Sequence, residues 1–364
     1  MKINNIITHL ETIAPLAYQE GYDNAGLIVG NRHTEATSAL LCLDAIECVI
    51  DEAIEMGCNL VIAHHPIIFK GLKKLTGSNY IERVIIKAIK NDIAIYAAHT
   101  NLDSVHNGVN AKICERLKLQ NCTTLAPKKG QLLKLFTFCP EAQAAQVRDA
   151  LFEAGAGKIG NYSECSFNTH GLGSFRAGPA ANPFVGSKEK RSVEPEVKIE
   201  VLFSKAIQSR VIAALQQSHP YEEVAYDIVL LENEQTQVGA GMIGELQQAM
   251  EVTFFLEYLK DKMKTSLIRH TQLLSTTVKR IAVCGGAGSF LLPQAIAAQA
   301  DVFVTGDFRY HSFFDAEDKI VIADIGHYES EQFTTELFAE ILKQEFPNFA
   351  TRITRHITNP INYF

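Results

Sequence analysis

Short apolar runs alternate with stretches of helical periodicity at both ends of this chain, and that alternation restricts its fold more than any other feature. Residues 39–44 (Ala-Leu-Leu-Cys-Leu-Asp) read as a strand. Residues 46–56 read as a helix, with Ile46, Ile50, Ala53 and Ile54 on one face and Gly57 as its stop. Residues 59–63 form the next strand, Val84, Ile85, Ala88 and Ile89 mark another helix, and 93–98 a further strand. Strands that are apolar throughout and separated by helices predict a largely parallel sheet with helices on its faces. The C-terminal stretch repeats the pattern: strand 278–284, helix 289–300, strands 301–304 and 319–323, a long helix 328–345, and an alternating edge strand 351–357.

The middle of the chain follows a different order. Residues 132–139, 196–203 and 222–231 read as strands and 141–154 and 205–217 as helices, a ferredoxin-like β-α-β arrangement. Between them, 155–195 is rich in Gly, Ser, Asn and Pro and reads as hairpin and loop. The expected organisation is therefore one α/β domain built from 1–125 and 239–364, interrupted by an inserted α+β domain at 126–238. A chain of 364 residues is long enough for both.

A net charge of −7 argues against a nucleic-acid-binding surface. The dense basic stretch Lys188-Glu189-Lys190-Arg191 falls in a polar loop and reads as a solvated tip. The start, Met1-Lys2-Ile3-Asn4-Asn5, has no apolar signal-like core, and no apolar run reaches transmembrane length, so a cytoplasmic protein is expected. The eight cysteines form no C-x-x-C pair. Several, such as Cys42, Cys58 and Cys284, lie inside apolar runs and read as buried free thiols.

Three clusters of possible metal ligands stand at the ends of predicted strands. They are His64-His65-Pro66, the stretch His99-Thr100-Asn101-Leu102-Asp103, and Asp324-Ile325-Gly326-His327-Tyr328-Glu329-Ser330-Glu331. Neighbouring side chains on a strand point to opposite faces, so His64 and His65 can share a site only where the chain leaves the sheet. Pro66 supplies that departure. Ligands gather beyond the carboxyl ends of parallel strands, and if these strands belong to one sheet the clusters open onto one cleft. His327 and Glu331 are four apart and fall on one helical face, able to grip one metal or bridge two. Imidazoles with carboxylates suit zinc, iron or manganese. His99, nearer its strand, reads as a residue that orients a ligand or the loop.

Other segments carry weaker signals. Asp307 or His311 in Thr305-Gly306-Asp307-Phe308-Arg309-Tyr310-His311 can serve as general acid or base or hold a ligand in place, or simply form a hydrogen-bonded turn. Cys284-Gly285-Gly286-Ala287-Gly288-Ser289 reads as a tight strand-to-helix turn, with a phosphate cradle as the sharper alternative. It lacks the ending of a P-loop, and no acidic ribose partner accompanies it. Inside the insert, Gly171-Leu172-Gly173-Ser174-Phe175-Arg176 reads as a hairpin and His219-Pro220-Tyr221-Glu222-Glu223 as a helix-to-strand corner; a small ligand pocket is the alternative.

Together these motifs resemble the GTP cyclohydrolase I type 2 homologue family, also called NIF-three-like or DUF-thirty-four. The resemblance rests on Tyr22-Asp23-Asn24-Ala25-Gly26-Leu27, Ala63-His64-His65-Pro66, His99 to Asp103, Thr305-Gly306-Asp307 with Tyr310-His311, Gly326 to Glu331, and Asn359-Pro360-Ile361-Asn362-Tyr363-Phe364. Tyr22 stands where many relatives have Trp. The resemblance implies a site for two divalent metal ions held by His64, His65, Asp103, His327 and Glu331, with Asp324 outside the set. It also implies a homohexamer, a ring of trimers, and a PII/CutA-like insert. Five ligands suffice for two close metals if a carboxylate bridges and water fills open positions, and such open positions favour a metal-dependent hydrolase acting on a small molecule. The alternative is a metal store, chaperone or regulatory module with a ligand-sensing insert.

Overall fold

The computed structural model describes residues 1–274 and 276–364. The chain divides into two compact units, one built from residues 1–127 and 236–364 and the other from 128–235. Among the described residues no helix is long and apolar enough to cross a membrane. All eight cysteines are free, and Cys42, Cys58, Cys114, Cys139 and Cys284 are buried.

The larger unit holds two sheets, which corrects the expectation of a single one. The first orders Gly26–Val29, Ala94–Ala97, Leu60–His65, Ala39–Asp44 and Thr351–Ile353 side by side. All its pairings are parallel except that of Gly26–Val29 with Ala94–Ala97. Leu60 to His64 are all buried, as are Ala39 to Leu43 and Ala94 to Ala97, which is what a sheet covered on both faces demands.

The helices Glu47–Glu55 and Tyr80–Lys90 cover this sheet with Val49, Ile50, Ala53, Val84, Ile85 and Ala88. Tyr80–Lys90 starts on an asparagine N-cap. Asn79 accepts from the Glu82 amide at 3.0 Å, and the Asn79 amide group donates to the Glu82 carboxylate at 2.9 Å. The edge strand 351–357 shortens to Thr351–Ile353: the Thr354 amide still donates to the Leu41 carbonyl at 2.9 Å, but its hydroxyl and the Arg355 amide turn to the buried Glu52 carboxylate.

The second sheet orders Arg269–His270, Val321–Asp324, Val302–Gly306, Thr277–Ala287, Gln235–Glu251 and Gln120–Lys128. Its central strands Thr277–Ala287, Val302–Gly306 and Val321–Asp324 run parallel. The expected helix 328–345 is two helices, His327–Glu331 and Thr334–Glu345. They part at Gln332 and Phe333. Gln332 donates to the Met263 carbonyl at 2.9 Å, and the buried Phe333 ring lies 4.0 Å from the Arg116 guanidinium, so tertiary contacts outweigh the helical register at that point.

The smaller unit is an antiparallel sheet ordered Ser166–Arg176, Arg191–Ser204, Leu132–Pro140 and Tyr226–Leu230. The helices Ala144–Glu153 and Gln208–Ser218 pack against it through Val147, Leu151, Val211 and Leu215, onto Leu135, Val197, Ile199 and Val201. The strand expected at 196–203 begins at Arg191, and its partner Ser166–Arg176 lies in the stretch read as hairpin and loop. Pairing with Leu132–Pro140 ends at Glu196, so Pro195 sits where one side of its strand has no neighbour and its missing N–H is tolerated.

Candidate metal centre

The site lies within the larger unit and draws on both of its sheets. His65 ends the strand Leu60–His65 with Asp44 beside it in register on Ala39–Asp44. As the chain departs at Pro66, the rings of His64 and His65 come to 4.9 Å between centroids. From the other sheet, the helix His327–Glu331 starts three residues beyond Val321–Asp324. Gly326, at φ +96°, makes the turn into that helix, in a conformation that favours glycine.

Glu331 is 3 % exposed and is the focus of the cluster. Its Oε2 is 3.0 Å from His65 Nε2 and 3.2 Å from His327 Nε2, and its Oε1 is 3.6 Å from His64 Nε2. Asp103 Oδ1 lies 3.7 Å from His64 Nε2. The five residues therefore meet at one place, in groups whose donor atoms lie within 4.8 Å of one another. Gly286, at φ +63°, forms part of the wall: a Cβ there would come 2.4 Å from Glu331 Oε1 and 3.2 Å from the His327 ring.

Each histidine is held from behind by an acceptor for its other nitrogen. His64 Nδ1 bonds the Ala98 carbonyl at 2.8 Å, His65 Nδ1 the Asp44 carboxylate at 2.8 Å, and His327 Nδ1 the Asp307 carboxylate at 2.8 Å. Such partners fix the tautomer with the proton on Nδ1 and turn the Nε2 lone pair inward, the arrangement usual for metal-ligating histidines. The inward atoms are crowded together, and two of them have no protein partner. His64 Nε2 and Asp103 Oδ1 are buried without a hydrogen bond, and His65 Nε2 and His327 Nε2 face each other at 3.3 Å. Buried polar atoms are rarely left so. A cation among them satisfies all four, so the donor set fits a divalent metal.

The charges of the metal-free site point the same way. Burial opposes charge on Glu331, but His64, His327 and His65 outweigh it and hold the carboxyl well below its usual range. Burial together with Glu331 drives Asp103 well above its own range. Burial also opposes protonation of His65 and His327, yet Asp44 and Glu331 raise His65 to about 10, and Glu331 with Asp307 raises His327 to about 9. Burial holds His64 below its usual value. In the absence of a metal, protons take the cation's place.

The remaining candidates are placed as follows. His99 joins His64 and His65, its ring centroid 5.3 and 5.4 Å from theirs. Its Nδ1 bonds Asp23 at 2.8 Å, and Asp23 also accepts from the Thr100 amide and hydroxyl. Burial opposes charge on Asp23, but His99 and Thr100 hold it at about 2. Asp307 backs His327. His311 is exposed on the 3-10 helix Tyr310–Ala316, its ring edge-on to Tyr310 at 5.2 Å, and the structure does not bring it to the cluster. Asp324 accepts from the Phe308 and Gly326 amides and from Arg269, which keeps it in a structural role.

The glycine turn offers no phosphate cradle. The amides of Gly285, Gly286 and Gly288 bond Asn110, Ser330 and Thr305 at 3.0, 2.9 and 3.0 Å. Asp44 escaped the sequence reading. Its signal was its place at a strand end beside His65. The C-terminal segment braces the site from outside, with Thr358 bonded to Asp44 and Asn359 to Glu329. A cavity of about 470 Å³ opens onto the cluster, walled in part by Tyr22, Phe69, Cys284 and Phe290.

The Duf34/NIF3 (NGG1p interacting factor 3) family model matches residues 1–360. The chain belongs to the DUF34/NIF3 family. It is 41 % identical over 332 residues to the GTP cyclohydrolase 1 type 2 homolog of Halalkalibacterium halodurans, covering 90 % of this chain and 89 % of the relative. The GTP cyclohydrolase 1 type 2 homolog of Bacillus subtilis is also 41 % identical, over 89 % of this chain and 87 % of its own. Among solved structures, a Bacillus cereus protein related to NIF3 superposes with a TM-score of 0.85 at 36 % identity, covering all of this chain and 99 % of the other. The mixed α/β fold with several sheets is thus that of DUF34/NIF3 structures.

Proposed function

We propose that this DUF34/NIF3 member is a metal-dependent hydrolase whose dinuclear centre is held by His64, His65, Asp103, His327 and Glu331. The observation that carries the reading is the pair of buried, unpartnered atoms, His64 Nε2 and Asp103 Oδ1, facing the same carboxylate that His65 and His327 share. Zinc, iron and manganese suit this donor set. A divalent cation bound there supplies Lewis acidity that activates water. Glu331 offers one oxygen toward His64 and the other toward His65 and His327, the disposition a bridging carboxylate needs. Asp44 and Asp307 fix the two histidines that carry the most proton affinity. His99, with Nδ1 anchored on Asp23, presents its Nε2 side to the cluster and can hold or pass a proton there. Phe69 and Phe290 line the cavity and help exclude water from it.

The relatives' name supports GTP ring opening as one candidate reaction; phosphoester and cyclic amide hydrolysis are equally within the chemistry. The test is protein stripped with a chelator and reloaded with zinc, iron or manganese, assayed on GTP, phosphoesters and cyclic amides. Metal-dependent turnover on one class is expected. No turnover on any, with metal that passes readily to an acceptor, would favour a metal store or chaperone, a reading to which the partly exposed His327 lends some weight. The same proposal includes a cytoplasmic homohexameric ring and a PII/CutA-like, ferredoxin-like topology for the inserted unit. The free cysteines support a reducing compartment.

A further inference from the structure

The smaller unit encloses a cavity of about 670 Å³ that the metal centre does not use. Two sequence motifs with no role in the larger unit meet there: the hairpin segment Gly171 to Arg176, and the corner Tyr221 to Glu223. Phe138, Phe175, Phe184 and Tyr221 supply aromatic walls, with the Tyr221 ring 6.4 Å from Phe175 and 6.3 Å from Phe184. The volume lies within the range of small-molecule sites, and so does the mixture of apolar walls with a few placed polar groups.

The polar group at its base is Glu196, 9 % exposed. The Tyr221 hydroxyl donates to its Oε1 at 2.7 Å. Burial and the adjacent Glu196 push the Tyr221 hydroxyl up, so it remains a donor. Gly173 lets the hairpin lie against the second oxygen, since a Cβ there would come 2.0 Å from Oε2. Among the described residues no Lys, Arg or His comes within ion-pairing distance of Glu196. Lys198, the nearest cation by sequence, pairs with Glu200 at 2.9 Å and lies 4.3 Å from the Phe136 ring. His170 is held by Glu141 at 2.7 Å. Glu222 accepts from the Asn182 amide at 2.7 Å, which ties the 177–190 loop across the cavity's side.

Arg176 and Lys198 also line the cavity, but neither pairs with Glu196. A buried carboxylate with no ion pair of its own, walled by aromatic rings, is complementary to a flat positive group. The carboxylate accepts two parallel N–H bonds, and the ring faces attract the delocalised charge. We propose that this cavity binds a small planar cation with adjacent N–H donors, of the amidinium, guanidinium or protonated aminoheterocycle class, with Glu196 as its anchor.

The test uses the full chain and benzamidine as probe, with benzoate as the anionic isostere, followed by calorimetry. Saturable one-to-one binding of benzamidine and none of benzoate is expected. Glu196→Gln should weaken benzamidine by roughly tenfold or more, the loss of a charge-assisted pair. Phe184→Ala, at an exposed ring outside the packed core, should weaken it roughly threefold and serves should Glu196→Gln fail to fold. Glu331→Gln in the metal centre should leave this binding unchanged, which separates the two sites. Benzoate binding as tightly as benzamidine, absence of benzamidine saturation, or unaltered affinity in both cavity variants would overturn the proposal.

Discussion

Glu331 and Glu196 are both buried carboxylates, but their neighbours differ in kind. Glu331 faces three imidazoles whose other nitrogens are anchored on Ala98, Asp44 and Asp307. Glu196 faces one tyrosine hydroxyl and the rings of Phe175 and Phe184 across a cavity. An ionised carboxylate removed from water is penalised by several kcal/mol unless something compensates it. Around Glu331 of the metal-free site the compensation is the protons that His65 and His327 carry, on nitrogens that converge on a point, which suits a compact ion. Around Glu196 it is the Tyr221 hydroxyl alone, beside an open space with aromatic faces, which suits a planar cation. Shared burial thus points to two different ligands, and the neighbours decide which.

The sharpest way to break the contrast is to remove each carboxylate. Glu331→Ala should cost at least one metal equivalent per chain while the chain stays folded; Glu196→Ala should leave metal content intact. Elemental analysis of the two purified variants reads this directly, and full occupancy in Glu331→Ala would end the bridging role.

A smaller effect concerns the supports. Asp44→Asn and Asp307→Asn each remove the charge behind a histidine, and metal affinity should fall by about 10–100-fold. Competition with a chromophoric chelator measures it. Unchanged affinity in both variants would mean that the histidines orient without them.

The third effect is a proton count. His65 and His327 stand at about 10 and 9 in the metal-free protein, against an ordinary 6.5. Both values are raised, so their protonated pairing with Glu331 stabilises the metal-free fold fully below pH 6.5 or so and is lost as pH climbs through 9 and 10. A metal must displace those protons. Uptake near pH 7.5 should release at least the two protons held by His65 and His327, and apparent affinity should rise with pH. Calorimetry in buffers of different ionisation heat gives the number; none released would exclude these histidines as ligands.

Much of the fold was legible because parallel strands covered on both faces must be apolar throughout. Ala39–Asp44, Leu60–His65 and Ala94–Ala97 lie where continuous apolar runs put them. The hairpin Ser166–Arg176 with Arg191–Ser204 was legible as a hairpin at Gly171 to Arg176, but the extent of its strands over the outer half was not. There both faces are largely solvated, so no hydrophobic period marks it. The break at Gln332 and Phe333 was equally hidden, since it depends on Met263 and Arg116, which are distant in sequence.

For the site, local chemistry named the candidates and three-dimensional proximity sorted them. His64, His65, Asp103, His327 and Glu331 stand out by residue type at strand ends, a property of short stretches of chain. What residue type cannot carry is direction. Asp44 and Asp307 matter because their carboxylates reach the backs of His65 and His327, Asp324 is taken up by amides and Arg269, and His311 is exposed beside Tyr310. Likewise, the sequence alone determined that strands end in histidines and carboxylates; only the tertiary structure decided that two separate sheets bring those ends to one point. The physical reason is that periodicity records which side of an element is buried, whereas a ligand site depends on where elements far apart in the chain come together.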